Sequence, residues 1–98
     1  MKKFFVIGNQ TSKSLSPLIF NYWFKKYKIK AKYNFVEVGH RNFDKALTEQ
    51  LKKHPIYGFN VTIPFKKKIF KHLTTSSVHA KNIGAVNCVT VGKKIKGI

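Results

Sequence analysis

Cysteine, acidic residues and arginine are scarce in this chain of 98 residues. Cys88 is the only cysteine, which excludes an internal disulfide and a metal cluster built on cysteine, and which fits a reducing compartment. The four histidines, His40, His54, His72 and His79, have no spacing typical of metal ligands or of a triad with a nucleophile. We therefore expect surface histidines and no metal site.

The shortage of acidic residues leaves a formal charge of +17, from 20 Lys and Arg against three Asp and Glu. Such a balance favours polyanions as partners. However, Arg41 is the only arginine, and nucleic-acid-binding proteins use arginine for bidentate contacts with bases and phosphates. The lysines are also spread along the chain in short groups. We therefore expect no nucleic-acid partner. The non-enzymatic alternative is that the chain is a basic module that binds polyanions without catalysis.

Long apolar runs are also lacking, and no stretch approaches the ~20 apolar residues of a membrane-spanning helix. The run from Phe4 to Ile7 follows two lysines but is too short for a signal peptide, and no cleavage-like site follows it. We expect a soluble cytoplasmic protein that does not contact membranes. Its single domain covers residues 1–98 and draws its core from the 43% of apolar residues.

Apolar runs and helix-start signals alternate along the rest of the chain. They predict strands at residues 4–7, 33–38, 58–61, 84–91 and 95–98, with a turn at 92–94. They predict helices at residues 17–28, 42–53 and 64–73, and a short helix ending near residue 82. This order predicts an α/β three-layer sandwich: a mostly parallel mixed sheet, helices on both faces, and a terminal antiparallel hairpin.

The first predicted helix begins with a strong signal, because Ser16 can act as N-cap and Pro17 suits the first helical position. The apolar residues that follow at helical spacing predict a buried stripe that packs on the core. The stripe consists of Ile19, Phe20, Trp23, Phe24 and Tyr27.

Two hydroxyl residues, Ser14 and Ser16, lie on the loop that leads into this helix. Together with the free N–H groups of a helix start, they can hold a carboxylate or a phosphate. The structural alternative is that Ser16 only caps the helix and Ser14 is only a loop residue.

A buried strand at 58–61 runs into a polar turn and then into the predicted helix that begins at Pro64. Asn60, Thr62 and Lys66 lie close together at the carboxyl end of this strand. Ligands bind at that end of open α/β sheets. With Pro64 as the first helical residue, Lys66 falls in the first turn, where the helix dipole disfavours a positive charge. Such a lysine suits acid–base chemistry, although a solvated surface lysine is the structural alternative.

A third segment, at 83–87, enters a strand through small residues and ends in a polar one. Gly84 allows a close backbone approach. Asn87 interrupts an apolar run and is either a structural amide or a ligand contact. Cys88 faces the opposite side of the predicted strand, and we expect it in the core.

Taken together, SLSP at 14–17, GFNVTIPFK at 58–66 and IGAVN at 83–87, with VIGN at 6–9, closely resemble the N-terminal, substrate-binding domain of shikimate dehydrogenase. The family reduces 3-dehydroshikimate to shikimate with NADPH, in aromatic amino-acid biosynthesis. The resemblance implies that Ser14 and Ser16 bind the substrate carboxylate and that Asn60, Thr62 and Asn87 contact the ring hydroxyls. Lys66 is then the catalytic lysine.

The chain departs from the family after Lys96, Gly97 and Ile98. Family members continue there with an Asn-Thr-Asp motif, whose aspartate pairs with the lysine, and then with a Rossmann domain that holds NADP. We therefore expect a truncated N-terminal half that is inactive alone and has no cofactor-binding residues of its own, in agreement with the lack of a Gly-x-Gly-x-x-Gly motif. The resemblance also allows a quinate/shikimate dehydrogenase and a homodimer of the full-length enzyme.

Overall fold

The computed structural model describes residues 2–52, 56–92 and 94–98. In these residues six strands form one mixed sheet in the order β2-β1-β3-β5-β6-β4. The strands are β1 (Lys2–Gly8), β2 (Ala31–Glu37), β3 (Ile56–Val61), β4 (Thr75–Ser76), β5 (Cys88–Val91) and β6 (Ile95–Gly97). The helices are α1 (Ser16–Lys26), α2 (Phe43–Lys52) and α3 (Val78–Ile83), and short 3-10 helices lie at Thr11–Lys13, His40–Asn42 and Lys68–His72.

The central strand β1 pairs in parallel with β2 on one side and with β3 on the other. Beyond β3 the sheet turns antiparallel through β5 and the β5–β6 hairpin, and β4 then pairs in parallel with β6. The predicted α/β fold, with its mostly parallel mixed sheet and terminal hairpin, is confirmed. Residues 53–55 and 93 lie outside the described part, and with them the predicted end of the second helix and the middle of the predicted turn.

The two faces of the sheet carry different helices, because neighbouring residues of a strand point to opposite faces. Phe5 stacks on Phe59 at 4.7 Å and belongs to the main buried core, to which α2 contributes Phe43 and Leu47. Phe4 points to the other face and contacts Phe24 of α1, with ring centroids 5.9 Å apart.

The prediction of a buried stripe on α1 is wrong. No residue of α1 is buried, and Ile19, Trp23 and Tyr27 are 48%, 41% and 61% exposed. The helix lies over the edge strand β2 and its neighbour β1, and it packs on them through Phe20 and Phe24. The other apolar residues of the stripe are not covered by the sheet and stay exposed.

The third predicted helix does not begin at Pro64, whose peptide bond with Ile63 is cis. A 3-10 helix forms later, at Lys68–His72. The carbonyl of Lys66 accepts a hydrogen bond from the N–H of Val86 at 2.9 Å, so a contact distant in sequence takes the place of a helical bond.

Strand β4 is not among the strands predicted from the sequence; its residues Thr75 and Ser76 pair with Lys96 and Gly97 of β6. Gly84 was predicted to enter a strand. It instead ends α3 in the left-handed region, at φ 77°, where glycine is the favoured residue. The strand begins later, at Cys88.

Candidate substrate-binding site

The polar ends of three strands meet at one edge of the sheet. Parallel β1 and β3 bring their carboxyl ends there, after Gly8 and Val61. Because β5 runs antiparallel to β3, with Cys88 opposite Asn60, its amino end lies at the same edge. Asn87, just before β5, therefore lies beside the carboxyl end of β3.

Main-chain hydrogen bonds fix these segments to one another. The N–H of Val61 donates to the carbonyl of Asn87 at 2.8 Å, and the N–H of Thr62 donates to Ile7 at 3.0 Å. The bond from Val86 to Lys66 holds the lysine segment against the segment that carries Asn87. These main-chain bonds thus hold together the strand ends that carry the polar groups.

A cavity of about 520 Å³ opens at this edge, a volume typical of small-molecule sites. Every site residue predicted from the sequence lines it: Ser14, Ser16, Asn60, Thr62, Lys66 and Asn87. All but the exposed Asn87 are half-buried. The structure thus brings together side chains from three segments that are distant in sequence.

Gln10 and Lys13 also line the cavity, and sequence reasoning missed both. Their position on the loop beside Ser14 was the signal that could have found them. Lys13 and Lys66 are the charged residues of the lining, and both are cationic. An anionic ligand is therefore favoured in this cavity.

The chain matches the model of the family described as the shikimate dehydrogenase substrate binding domain over residues 6–89. It belongs to that family. The shikimate dehydrogenase (NADP(+)) of Pelagibacter ubique is 42% identical over 88 residues, which cover 90% of this chain and 33% of the relative. The chain spans about a third of the length of the curated relatives it matches.

Solved structures of the family have the same fold. A shikimate dehydrogenase from Peptoclostridium difficile matches with a TM-score of 0.89 and 34% identity, over 100% of this chain and 37% of that one. One from Thermus thermophilus, in complex with shikimate, matches with a TM-score of 0.89 and 28% identity, over 99% of this chain and 37% of that one.

The serine loop of this family member is held by Glu37, which accepts hydrogen bonds from the hydroxyl of Ser12 at 2.7 Å and from its N–H at 3.0 Å. The same two bonds hold the pKa of the Glu37 carboxyl below its usual value. Ser14 Oγ accepts a bond from the N–H of Ser16 at 3.2 Å, which leaves the Ser14 hydroxyl proton free to donate to a ligand.

The prediction that Ser16 is the N-cap of α1 is wrong by one position. Leu15 occupies the N-cap and makes no side-chain capping bond, and Ser16 is the first helical residue, whose N–H donates to Ser14 Oγ. Ser16 still lines the cavity, so the loop and the start of the helix both present a hydroxyl to it.

Lys66 lies in a turn before the 3-10 helix rather than in the first turn of a helix, so the dipole argument for this lysine is wrong. Its place at the cavity rests on the main-chain bond to Val86. The alternative that Lys66 is a fully solvated surface lysine does not fit its half-buried position.

Asn60 and Asn87 enter the cavity in different ways. Asn60 Oδ1 accepts a hydrogen bond from the hydroxyl of Tyr33 at 2.5 Å, while its side chain lines the cavity. Asn87 is exposed rather than buried, which does not fit a structural amide in the core.

Cys88 is a half-buried free cysteine that lies beside Asn60 on the face of the sheet that α1 covers, so the prediction that it belongs to the core is wrong.

Gly8, at the carboxyl end of β1, packs closely against the segment that follows β3. A Cβ added to Gly8 would meet Thr62 Cγ2 at 2.2 Å and the Ile63 carbonyl at 3.1 Å, so the chain itself fills the space beside this glycine. A Rossmann site needs that space for a pyrophosphate. The described residues themselves therefore occupy the space beside Gly8.

Among the described residues, no group of three or more His, Cys, Asp or Glu side chains could hold a metal ion, and no helix is long and apolar enough to cross a membrane. His40 is exposed as predicted, but His72 is half-buried and bonded to Asp44 Oδ1 at 2.7 Å. The surface positions predicted for His54 and for the side chain of His79 lie outside the described part.

Proposed function

We propose that this chain is the substrate-binding part of a shikimate dehydrogenase, which catalyses the reversible NADPH-dependent reduction of 3-dehydroshikimate to shikimate. One observation carries the proposal: six polar side chains of the family motifs line a single cavity. The Thermus thermophilus neighbour, whose structure contains shikimate, has the same fold and supports this substrate class.

The proposed substrate carries a carboxylate and several ring oxygens, and the cavity offers donors for both. Ser14 and Ser16, at the start of α1, suit the carboxylate, with the cationic Lys13 nearby on the same lining. Asn60, Thr62 and Asn87, which line the same cavity, suit the ring hydroxyls. Amides and hydroxyls can both donate to and accept from such groups.

Lys66 is the proposed catalytic residue. As the ketone of 3-dehydroshikimate is reduced, negative charge develops on its oxygen. A protonated amine within hydrogen-bond distance stabilises that charge and donates the proton that completes the hydroxyl. The amine then regains a proton from water. In the reverse direction the neutral amine accepts the proton of the hydroxyl.

Binding by the chain itself is the first test. We expect shikimate, added to the isotopically labelled chain at millimolar concentration, to shift the NMR signals of Ser14, Asn60, Lys66 and Asn87. Lys66→Met should weaken binding by about tenfold, because it removes a charged hydrogen bond. The matched control Lys67→Met changes an exposed lysine outside the lining and should bind as before. A lack of shifts in the unchanged chain would contradict the proposal.

Catalysis requires the rest of the enzyme, so the second test uses a chimera of residues 1–98 with the remaining two thirds of the Pelagibacter ubique relative. We expect NADPH oxidation with 3-dehydroshikimate. Lys66→Met should lower kcat by about 10²–10⁴-fold, as the loss of a general acid does, and Lys67→Met should leave it unchanged. Full turnover by the Lys66→Met chimera would show that another group donates the proton. The same chimera assayed with quinate in place of shikimate tests the alternative of a quinate/shikimate dehydrogenase.

We further propose that the whole protein is a cytoplasmic enzyme, which the single free cysteine of these 98 residues supports. A homodimer is expected for the full-length enzyme and can be tested by light scattering of the chimera. No nucleic-acid partner is proposed. Tight binding of unrelated DNA with a steep salt dependence would favour the polyanion-binding alternative instead.

A further inference from the structure

Tyr33 is a buried polar residue that reaches the cavity only through another side chain. It lies on β2, opposite Phe4 of β1, which is itself opposite Gly58 of β3. Tyr33 and Asn60 therefore lie on the same face of the sheet, on strands separated by β1. The ring extends over β1, and its hydroxyl donates to Asn60 Oδ1 at 2.5 Å.

Three contacts hold Tyr33 in this position. Asn21 of α1 clamps its backbone from both sides: Nδ2 donates to the Tyr33 carbonyl at 2.7 Å, and Oδ1 accepts from the Tyr33 N–H at 2.8 Å. The Phe20 ring stacks on the tyrosine ring, with centroids 4.9 Å apart and an angle of 13° between the planes. With 4% of its surface exposed, Tyr33 has little freedom to move.

The hydroxyl of Tyr33 also has a raised pKa. Burial, with a smaller contribution from Cys88, raises its pKa to about 12. The hydroxyl therefore keeps its proton at neutral pH and can donate it to Asn60 Oδ1. The amide nitrogen of Asn60 has no partner among the described residues, and the Asn60 side chain lines the cavity.

We propose that Tyr33 is a positioning residue that fixes the orientation of the Asn60 amide, so that its NH₂ group faces the cavity as a donor. Asn60 then selects a ligand that presents an oxygen acceptor, such as a hydroxyl or a ketone, at that point of the ring. The selection of a ligand rests on the proposed function, whereas the orientation of the amide does not.

The orientation is tested in the free chain. Tyr33→Phe keeps the ring and removes only the hydroxyl. We expect the order parameter of the Asn60 side-chain amide, measured by NMR relaxation, to fall in this variant. The matched control is Tyr57→Phe, which removes the hydroxyl of a 44% exposed tyrosine near the same Phe4 ring and should leave the Asn60 amide unchanged. An unchanged Asn60 amide in Tyr33→Phe would overturn the proposal.

The selection of the ligand is tested by a double-mutant cycle on shikimate affinity. Tyr33→Phe should bind about fivefold more weakly, the value of one net hydrogen bond. In the Asn60→Ala background the same change should alter affinity by less than about twofold, because Tyr33 acts only through Asn60. Equal weakening in both backgrounds would indicate a merely structural role and overturn the proposal.

The two measurements separate the possible failures. If the unchanged chain does not bind shikimate but the Asn60 amide loses order in Tyr33→Phe, the orientation is supported and the proposed substrate is wrong. If shikimate binds and the Asn60 amide does not respond, the substrate is supported and the role of Tyr33 is wrong.

Discussion

Thr11 carries a buried hydroxyl that offers a sharp test of the packing beside the cavity. The residue is 1% exposed, and its Oγ1 has no hydrogen-bond partner among the described residues. Removing a hydroxyl from water without a new partner costs roughly 1–3 kcal/mol. Valine has nearly the same shape and no polar atom. We therefore expect Thr11→Val to raise the free energy of unfolding by about 1–2 kcal/mol.

The assay is urea unfolding followed by circular dichroism. We expect the midpoint to rise with no change in slope, and the melting temperature to rise by about 4–8 °C for each kcal/mol gained. Thr90→Val is the matched control: it changes an exposed threonine of β5 and should shift stability by less than about 0.5 kcal/mol. A Thr11→Val variant no more stable than the original chain would refute the reasoning, since the Thr11 hydroxyl would then have a partner in solution.

Three further changes test the charges and the core. Hydrogen bonds from the Lys71 ammonium and, second in size, from the His72 ring lower the pKa of Asp44 from 3.8 to about 2. The ionised Asp44 therefore contributes stability above pH 3.8, and this contribution is lost as the pH falls to about 2. Urea midpoints should fall over that window, and less so in Asp44→Asn; an equal fall in both would contradict this. Leu47→Ala should cost about 2–5 kcal/mol in unfolding experiments because Leu47 is fully buried, while Leu18→Ala, at a 71% exposed position, should cost almost nothing. Lys13→Gln should weaken shikimate binding up to about fivefold at low salt and less at high salt, and an effect independent of salt would count against a charge contact.

Much of the sheet was predictable because its signals are local. The continuous apolar run at residues 4–7 predicts a strand buried on both faces, and β1 lies inside the sheet, between β2 and β3. The alternation at 33–38 likewise predicts β2. The sequence also predicts that Asn60 and Thr62 lie close together, because both are at the carboxyl end of the same strand.

The features that sequence reasoning missed depend on contacts between distant segments. The bond between Val86 and Lys66 replaces the predicted helix, and no local pattern encodes it. Strand β4 is two residues long and forms only because β6 is beside it. The alternation of β2 marks Tyr33 as a strand residue, but the hydroxyl contact with Asn60 depends on the register of three strands.

The main-chain bonds around the cavity also bear on how freely this sequence can change. A hydrogen bond between an N–H and a carbonyl does not depend on the side chain that either residue carries, proline apart. The bonds from Val61, Thr62 and Val86 can therefore persist while neighbouring positions drift. This tolerance explains how a chain with 28% identity to the Thermus thermophilus enzyme, and a formal charge of +17, keeps a TM-score of 0.89 to it. The fold can thus stay the same while the composition of the chain changes.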